Sequence, residues 1–290
     1  MKIPVIAGPT ASGKTALGVE LAKITGGEIV SCDSMQIYRD IPICSAQPME
    51  EEKEKIPHHL MGFLDFSERF TVADYREKAL NALRDIISRN KTPIVVGGTG
   101  MYFHYLMYEP DFGADSDPKV KQELEKLNND ELYSRLISLD KQTAISPNDR
   151  KRLIRALEVY TLSGSLPQKS EKRKNKEFDF KLFCISPDRQ ELYERIDARV
   201  DKMLENGMKD EVYSLWKKGI NETHQCYKAI GCRQLIDYFE NRCSLEDAVE
   251  KIKQESRRYA KRQLTWMRGE KDAIVLPYPL PNVSELIKEL

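Results

Sequence analysis

Residues 5–23 read "VIAGPTASGKTALGVELAK", and the fold turns on how this stretch is read. With Lys2, Ile3 and Pro4 before it, "VIA" is a short apolar strand. Gly8, Pro9, Thr10, Ala11, Ser12, Gly13, Lys14 and Thr15 then fit the phosphate-loop pattern G-x-x-x-x-G-K-[ST]. Leu17, Leu21 and Ile24 follow at i, i+4 and i+7, one face of a helix that Gly26 and Gly27 stop. Glycine lets a backbone wrap a phosphate without a Cβ in the way. The loop N–H groups and the helix N-terminus then face the anion. Lys14 reaches the outer phosphate oxygens, and the Thr15 hydroxyl suits Mg²⁺. The pattern is that of nucleotide-binding, usually ATP-binding, proteins, but it does not say which diphosphate is held.

Working outward, "EIVSCD" at 28–33 and "TPIVVGGTG" at 92–100 are two more apolar strands, with a helix over 71–89 capped by Thr71 or Ser67. Continuous apolar strands alternating with helices indicate a parallel sheet. The texture changes at "PDFGADSDP" (110–118), a turn-rich hinge, after which 118–162 is charged and helical. A polar stretch with a basic run, "GSLPQKSEKRKNKEFDF" (164–180), leads to a strand "KLFCIS" at 181–186. Leu192, Ile196 and Met203 line one face of the next helix, and "AIVLPY" at 273–278 is a last strand. The expected fold is α/β: a P-loop parallel-sheet core with a mostly helical insertion domain. Residues 1–112 form the first part of the core and 113–175 the insertion; 176–290 complete the core and include a basic C-terminal helix.

Bulk properties narrow the class. In 290 residues, 40% are hydrophobic and 32% charged, the profile of a soluble globular protein. No apolar run approaches the roughly 20 residues that cross a bilayer, and Met1 leads directly into a strand rather than a signal segment. The expectation is a cytoplasmic protein with no membrane partner. None of the six cysteines forms a C-x-x-C pair, which argues against zinc and against a disulfide framework. His58 and His59 have no third ligand nearby and read as structural. Net charge is zero, so a nucleic-acid partner would require segregated charge.

Segregation is present. "SRRYAKRQLTWMRG" (256–269) holds Arg257, Arg258, Lys261, Arg262 and Arg268 without one acid. Tyr259 and Trp266 interleave with them; the arginines suit RNA contact and Trp266 suits the core. On the sheet side, the third strand ends in glycines and Thr99, not in the aspartate that phosphoryl-transfer P-loop enzymes offer to Mg²⁺. The second strand does end in an acid, Asp33, where ligands of α/β sheets sit. Asp33 reads as an acceptor-side base or, alternatively, as a turn cap.

Six motifs in order, "GPTASGKT", "DSMQIYRDIPICSAQP", "PHHL", "VVGGTGMY", "NDRKRLIRALEVY" and "YAKRQLTWMRG", resemble the tRNA dimethylallyltransferases, or tRNA isopentenyltransferases. The resemblance covers Gly8 to Gly269. It implies transfer of a dimethylallyl group from its diphosphate to N6 of an adenine beside the anticodon, releasing diphosphate. The partners implied are a tRNA anticodon stem-loop and dimethylallyl diphosphate, which enter a channel from opposite sides. By the same resemblance the loop with Lys14, Thr15 and Mg²⁺ stabilises the leaving diphosphate, and Arg233 reaches it or forms a structural ion pair. Asp33 is the base, and Thr99 stands near the reaction centre. Ser34, Met35 and Gln36 meet the target base, with the Gln36 amide suited to adenine. Lys151, Arg152, Leu153, Ile154 and Arg155 match a second tRNA-contact segment, and Lys121 a further basic contact. Arg257, Arg258, Lys261 and Arg262 complete the tRNA face. A bacterial type is expected, because no zinc-finger extension follows before Leu290, and a monomer is expected because tRNA binding needs both lobes exposed. Three rivals stand beside this reading: a small-molecule or nucleotide kinase, an adenylate isopentenyltransferase, and an RNA-binding module with a structural P-loop.

Overall fold

The computed structural model describes residues 2–109, 116–167 and 173–290. Most of the expected hinge (110–115) and the basic run at 168–172 lie outside the described residues. The chain begins with β1 (Lys2–Ala7), α1 (Lys14–Thr25), β2 (Glu28–Cys32), the one-turn α2 (Glu50–Lys53) and the two-residue β3 (His58–His59). It continues through α3 (Val72–Ser88), β4 (Pro93–Gly97) and α4 (Gly100–Met107). Three helices follow, α5 (Pro118–Glu125), α6 (Asn129–Leu139) and α7 (Arg150–Ser163). The sheet resumes with β5 (Asp179–Ile185), then α8 (Arg189–Glu205), α9 (Met208–Lys217), α10 (Cys232–Phe239), the long α11 (Leu245–Arg268), β6 (Ile274–Leu276) and α12 (Val283–Lys288).

All six strands are parallel, in the order β3-β2-β4-β1-β5-β6. Val5 of β1 stands between Val95 of β4 and Leu182 of β5, so the sheet centre is apolar on both faces, as helix-covered parallel sheets are. Backbone bonds tie three strand ends together: Gly8 N–H donates to Gly97 O (3.3 Å), and Gly98 and Thr99 N–H to Cys32 O (3.2 and 3.1 Å). The phosphate loop, the residue after β2 and the glycine-rich end of β4 therefore share one edge.

Local details depart from the periodicity. Ile24 is exposed, and α1 buries Leu17, Gly18, Val19, Leu21 and Ala22 instead, a face rotated towards the sheet. Thr71, not Ser67, caps α3: its Oγ1 accepts the Asp74 N–H (3.2 Å) while Asp74 accepts the Thr71 N–H (2.7 Å). Strand β3 is too short for alternation to reveal. Its His59 meets the buried Glu28 carboxylate, which also holds Arg89 and Lys91.

The chain divides into two compact units, Met1–Tyr108 with Lys174–Leu290, and Glu109–Arg173. The second unit starts at Glu109 rather than 113 and ends at Arg173 rather than 175, because Glu109 N–H pairs with Arg173 O at 2.7 Å. Its three helices bury Leu124, Leu132, Leu136, Leu153, Ile154 and Leu157. Buried Glu158 accepts from the Ser116 hydroxyl (2.5 Å) and Asp117 N–H (3.1 Å), fixing the start of α5. All six cysteines are free thiols. Among the described residues no helix is long and apolar enough to cross a membrane.

Candidate active site

A cavity of about 240 Å³ opens at the carboxyl edge of the sheet. Lys14, Thr15 and Thr10 from the loop, Asp33, Ser34, Met35 and Gln36 after β2, Arg199 of α8 and Tyr259, Arg262 and Gln263 of α11 line it. Its other wall is apolar, with Ile196, Val200, Met203, Ile230 and Ile252. The lining thus combines groups suited to an anion with groups suited to hydrocarbon.

In the loop, Lys14 Nζ rests on Pro9 O (3.2 Å). Burial pushes its amine down to about 8; Arg199 adds to the shift and Asp33 opposes it. The Ser12 hydroxyl is buried and has no partner among the described residues, an unanswered donor inside an anion loop. Arg199 is the arginine that serves this loop. Its Nη1 donates to Thr10 Oγ1 (3.2 Å) and its Nη2 to Ala46 O (3.3 Å), and burial lowers its pKa. The assignment of Arg233 to the diphosphate is corrected: it is exposed and lines not this cavity but an adjoining surface groove with Tyr227, one that shares Lys228 and Arg262 with the cavity. Arg199 carried a signal in the sequence, three residues beyond Ile196 on the buried face of its helix, where a lone arginine needs an anion or a carbonyl.

After β2, Asp33 Oδ1 accepts the Met35 and Gln36 N–H groups (2.9 and 3.3 Å), so Asp33 caps a turn and lines the cavity at once. Its Oδ2 has no hydrogen bond among the described residues. Thr99 Oγ1 accepts the Ser34 N–H (3.0 Å), and Tyr259 lines the same cavity as Asp33. Burial, with the Asp33 charge behind it, holds that phenol well above its usual range. Gln36 lines the cavity, but its amide is engaged within the protein. Nε2 donates to Ala46 O (3.0 Å), and Oε1 accepts the Ser31 hydroxyl (3.3 Å). It shapes the acceptor loop rather than offering a free amide to a base. Glu211 grips the same loop through the Ile43 and Cys44 N–H groups (2.8 and 2.7 Å).

The glycines of "GGTG" have a steric reason. A Cβ on Gly98 would enter Gln263, and one on Gly100 would enter the Trp266 ring, which stacks on Phe103. Helix α11 lies directly on the end of β4. Among its basic residues, Arg257 is held by Asp197 (2.6 Å) and Glu250 (2.9 Å), and Arg258 by Glu255 (2.6 Å). Lys261 is exposed and Arg262 lies over the Tyr259 ring. In the second unit, Lys151 and Arg152 are exposed, Lys121 faces Glu125 (3.9 Å) and Arg155 pairs with Glu158 (2.9 Å). Leu153 and Ile154 are corrected from tRNA contacts to core residues, because both side chains are buried among the three helices.

A phosphate loop, a carboxylate and an apolar wall in one cavity define an α/β P-loop enzyme of the group-transfer kind. The chain belongs to the IPP transferase family, whose sequence pattern matches residues 36–270. It is 42% identical over 284 residues to tRNA dimethylallyltransferase 1 of Citrifermentans bemidjiense, covering 96% of this chain and 93% of that one. It is 44% identical over 277 residues to the tRNA dimethylallyltransferase of Shouchella clausii, covering 93% and 89%. Among solved structures, the tRNA isopentenylpyrophosphate transferase of Bacillus halodurans superimposes with a TM-score of 0.75 at 36% identity, over 99% of this chain and 94% of that one. A eukaryotic dimethylallyltransferase described acting on tRNA gives 0.81 at 32% identity, over 95% and 73%.

Proposed function

We propose that this chain transfers the dimethylallyl group of dimethylallyl diphosphate to N6 of an adenine beside the anticodon of tRNA, releasing diphosphate. The observation that carries this reading is one cavity lined by Lys14 and Arg199, by Asp33, and by the apolar side chains of Ile196, Val200, Met203, Ile230 and Ile252. The adenine N6 lone pair attacks C1 of the donor as the C1–O bond breaks, and Asp33 accepts the N6 proton. Negative charge grows on the departing diphosphate, where Lys14, Arg199 and the loop N–H groups stand ready. Thr99, tied to Ser34, fixes the strand end on which the base is held. The adenine leaves its stack to enter, at a few kcal/mol. Lys261, Arg262 and the exposed cations of the second unit supply the phosphate contacts of the anticodon stem-loop.

Mg²⁺ fits this donor set. The Thr15 hydroxyl is a hard oxygen in this cavity and would hold Mg²⁺ together with the substrate phosphates, leaving the Asp33 carboxylate to act as the base. When bound, it supplies further neutralisation of the diphosphate. The enzyme acts as a cytoplasmic monomer on this reading.

The test incubates the protein and Mg²⁺ with labelled dimethylallyl diphosphate and unmodified tRNA, beside tubes with free AMP and with ATP. Label in tRNA supports the reading. Label in AMP alone, or ATP turnover without prenyl transfer, would replace it with the free-nucleotide prenyltransferase or the kinase.

A further inference from the structure

Gln263 is one of the few buried polar residues, 5% exposed, and its amide joins two strand ends. Oε1 accepts the N–H of Thr10 in the phosphate loop at 2.9 Å. Nε2 donates to the carbonyl of Gly98, one residue before Thr99, also at 2.9 Å. A carboxamide accepts from an N–H with its oxygen and donates to a carbonyl with its nitrogen, and here those two atoms reach two different strand ends. A glutamate in its place keeps the first bond and sets a charge against the Gly98 carbonyl. A methionine of similar length loses both bonds. Gly98 has no Cβ because this side chain occupies the space one would fill. The arrangement thus fits glutamine in length and in its pairing of one acceptor with one donor.

The two groups it joins belong to opposite sides of the proposed reaction. Thr10 lies on the loop that holds the leaving diphosphate, and Gly98 leads into the strand end at which the acceptor is held. We propose that Gln263 is a positioning residue for the transfer: one amide sets the distance between donor loop and acceptor strand. This rests on the functional reading above. Misplacing reacting atoms by about 1 Å loses on the order of 100-fold in rate, whereas the cationic groups proposed to bind the diphosphate, Lys14 and Arg199, make their hydrogen bonds to residues other than Gln263. The signature is therefore a fall in kcat with little change in the binding of either substrate.

The test compares the wild type with Gln263→Met and Gln263→Glu, measuring kcat, KM for dimethylallyl diphosphate, affinity for unmodified tRNA, thermal unfolding and amide exchange at Thr10. Expected are a kcat lowered at least tenfold in both variants, with donor KM and tRNA affinity within about threefold of wild type. Thr10 exchange is faster in Gln263→Met and closer to wild type in Gln263→Glu, which still accepts that N–H. If Gln263→Met does not fold, Gln263→Glu carries the kinetic test alone. A kcat within twofold of wild type in the folded variants overturns the proposal, and so does a loss that appears only in KM. Should the wild type itself transfer no label to tRNA, the functional reading fails. Unchanged Thr10 exchange in Gln263→Met would then reject the clamp, and accelerated exchange would uphold it.

Discussion

Arg199 donates to the Thr10 hydroxyl at 3.2 Å, while its other terminal nitrogen holds the Ala46 carbonyl at 3.3 Å. A residue 189 positions away in sequence thus joins the phosphate loop to the acceptor loop. Planar, forked donors make this possible, and lysine has no such fork. Arg199→Lys is expected to lower kcat/KM for prenyl transfer by roughly 100-fold, the scale of removing one preorganised donor to a developing oxyanion. Arg233→Ala, on the neighbouring surface groove, changes donor KM less than about threefold. Equal losses in the two variants would return Arg233 to the diphosphate site.

Asp33 separates into two roles by chemistry. Asparagine keeps an Oδ1 that accepts the Met35 and Gln36 N–H groups, so Asp33→Asn preserves the turn and removes the base. Its thermal unfolding should stay close to wild type while kcat falls about 100-fold or more, within the range ascribed to positioned general bases. Retained kcat in Asp33→Asn would leave Asp33 with the turn alone.

Lys14 gives a pH signature. Its amine is pushed down to about 8 by burial beside Arg199, against about 10.4 for a free lysine. Between these values the unfolded chain holds the extra proton, so this group makes the free protein more stable as pH rises through that window. An anion in the loop reverses the balance by favouring the charged amine. Binding of inorganic diphosphate at pH 9 should therefore take up a proton that it does not take up at pH 7. Calorimetry in buffers of different ionisation enthalpy measures this, and Lys14→Met should lose the uptake. Identical proton uptake in Lys14→Met would move the titration to another group.

The basic face of α11 is expected to divide. Arg257 is committed to Asp197 and Glu250, whereas Lys261 is exposed without an ion pair among the described residues. Lys261→Ala should weaken tRNA binding and reduce the slope of log affinity against log salt by about one. Arg257→Ala should act mainly on stability, leaving the slope near that of wild type. Binding titrations from low to moderate salt distinguish the two.

Legibility in the sequence followed the range of the interactions. The phosphate loop, the strand ending at Asp33 and the capped helix α3 are local patterns, and they stand where periodicity and capping chemistry place them. Arg199 and Gln263 act across 189 and 253 positions, and no local spacing encodes such partners. Gln263 did leave a trace: it shares the buried stripe of α11 with Ala260 and Met267, where a polar side chain requires a partner. The glycines of "GGTG" mark a strand end in the sequence, but only the folded chain shows that α11 approaches them. Charge alone misled in the basic helix, because sequence counts cations without their carboxylates. Arg257 and Arg258 are neutralised by partners from other turns and another helix.

Glu28 tests what holds the far edge of the sheet. Its carboxylate, 1% exposed, takes bidentate bonds from Arg89 (2.6 and 2.7 Å), one from Lys91 (2.7 Å) and one with His59 (2.7 Å). The Arg89 hydrogen bonds, ahead of those from Lys91 and His59, hold it well below the usual carboxylate range against the opposing effect of burial. A depressed carboxyl contributes stability that is present above its unfolded value, about 4.3. That stability is lost as pH falls towards its folded value. Glu28→Gln removes the charge and leaves three donors competing for one amide oxygen. The expected loss is about 3 kcal/mol, the lower end for breaking a buried pair, since its partners reach solvent. From about pH 4.3 down to pH 3 the wild type should lose part of this increment and the variant should not, so their denaturation midpoints draw closer in acid. Parallel curves over that range would show that Glu28 holds the edge by packing rather than by charge.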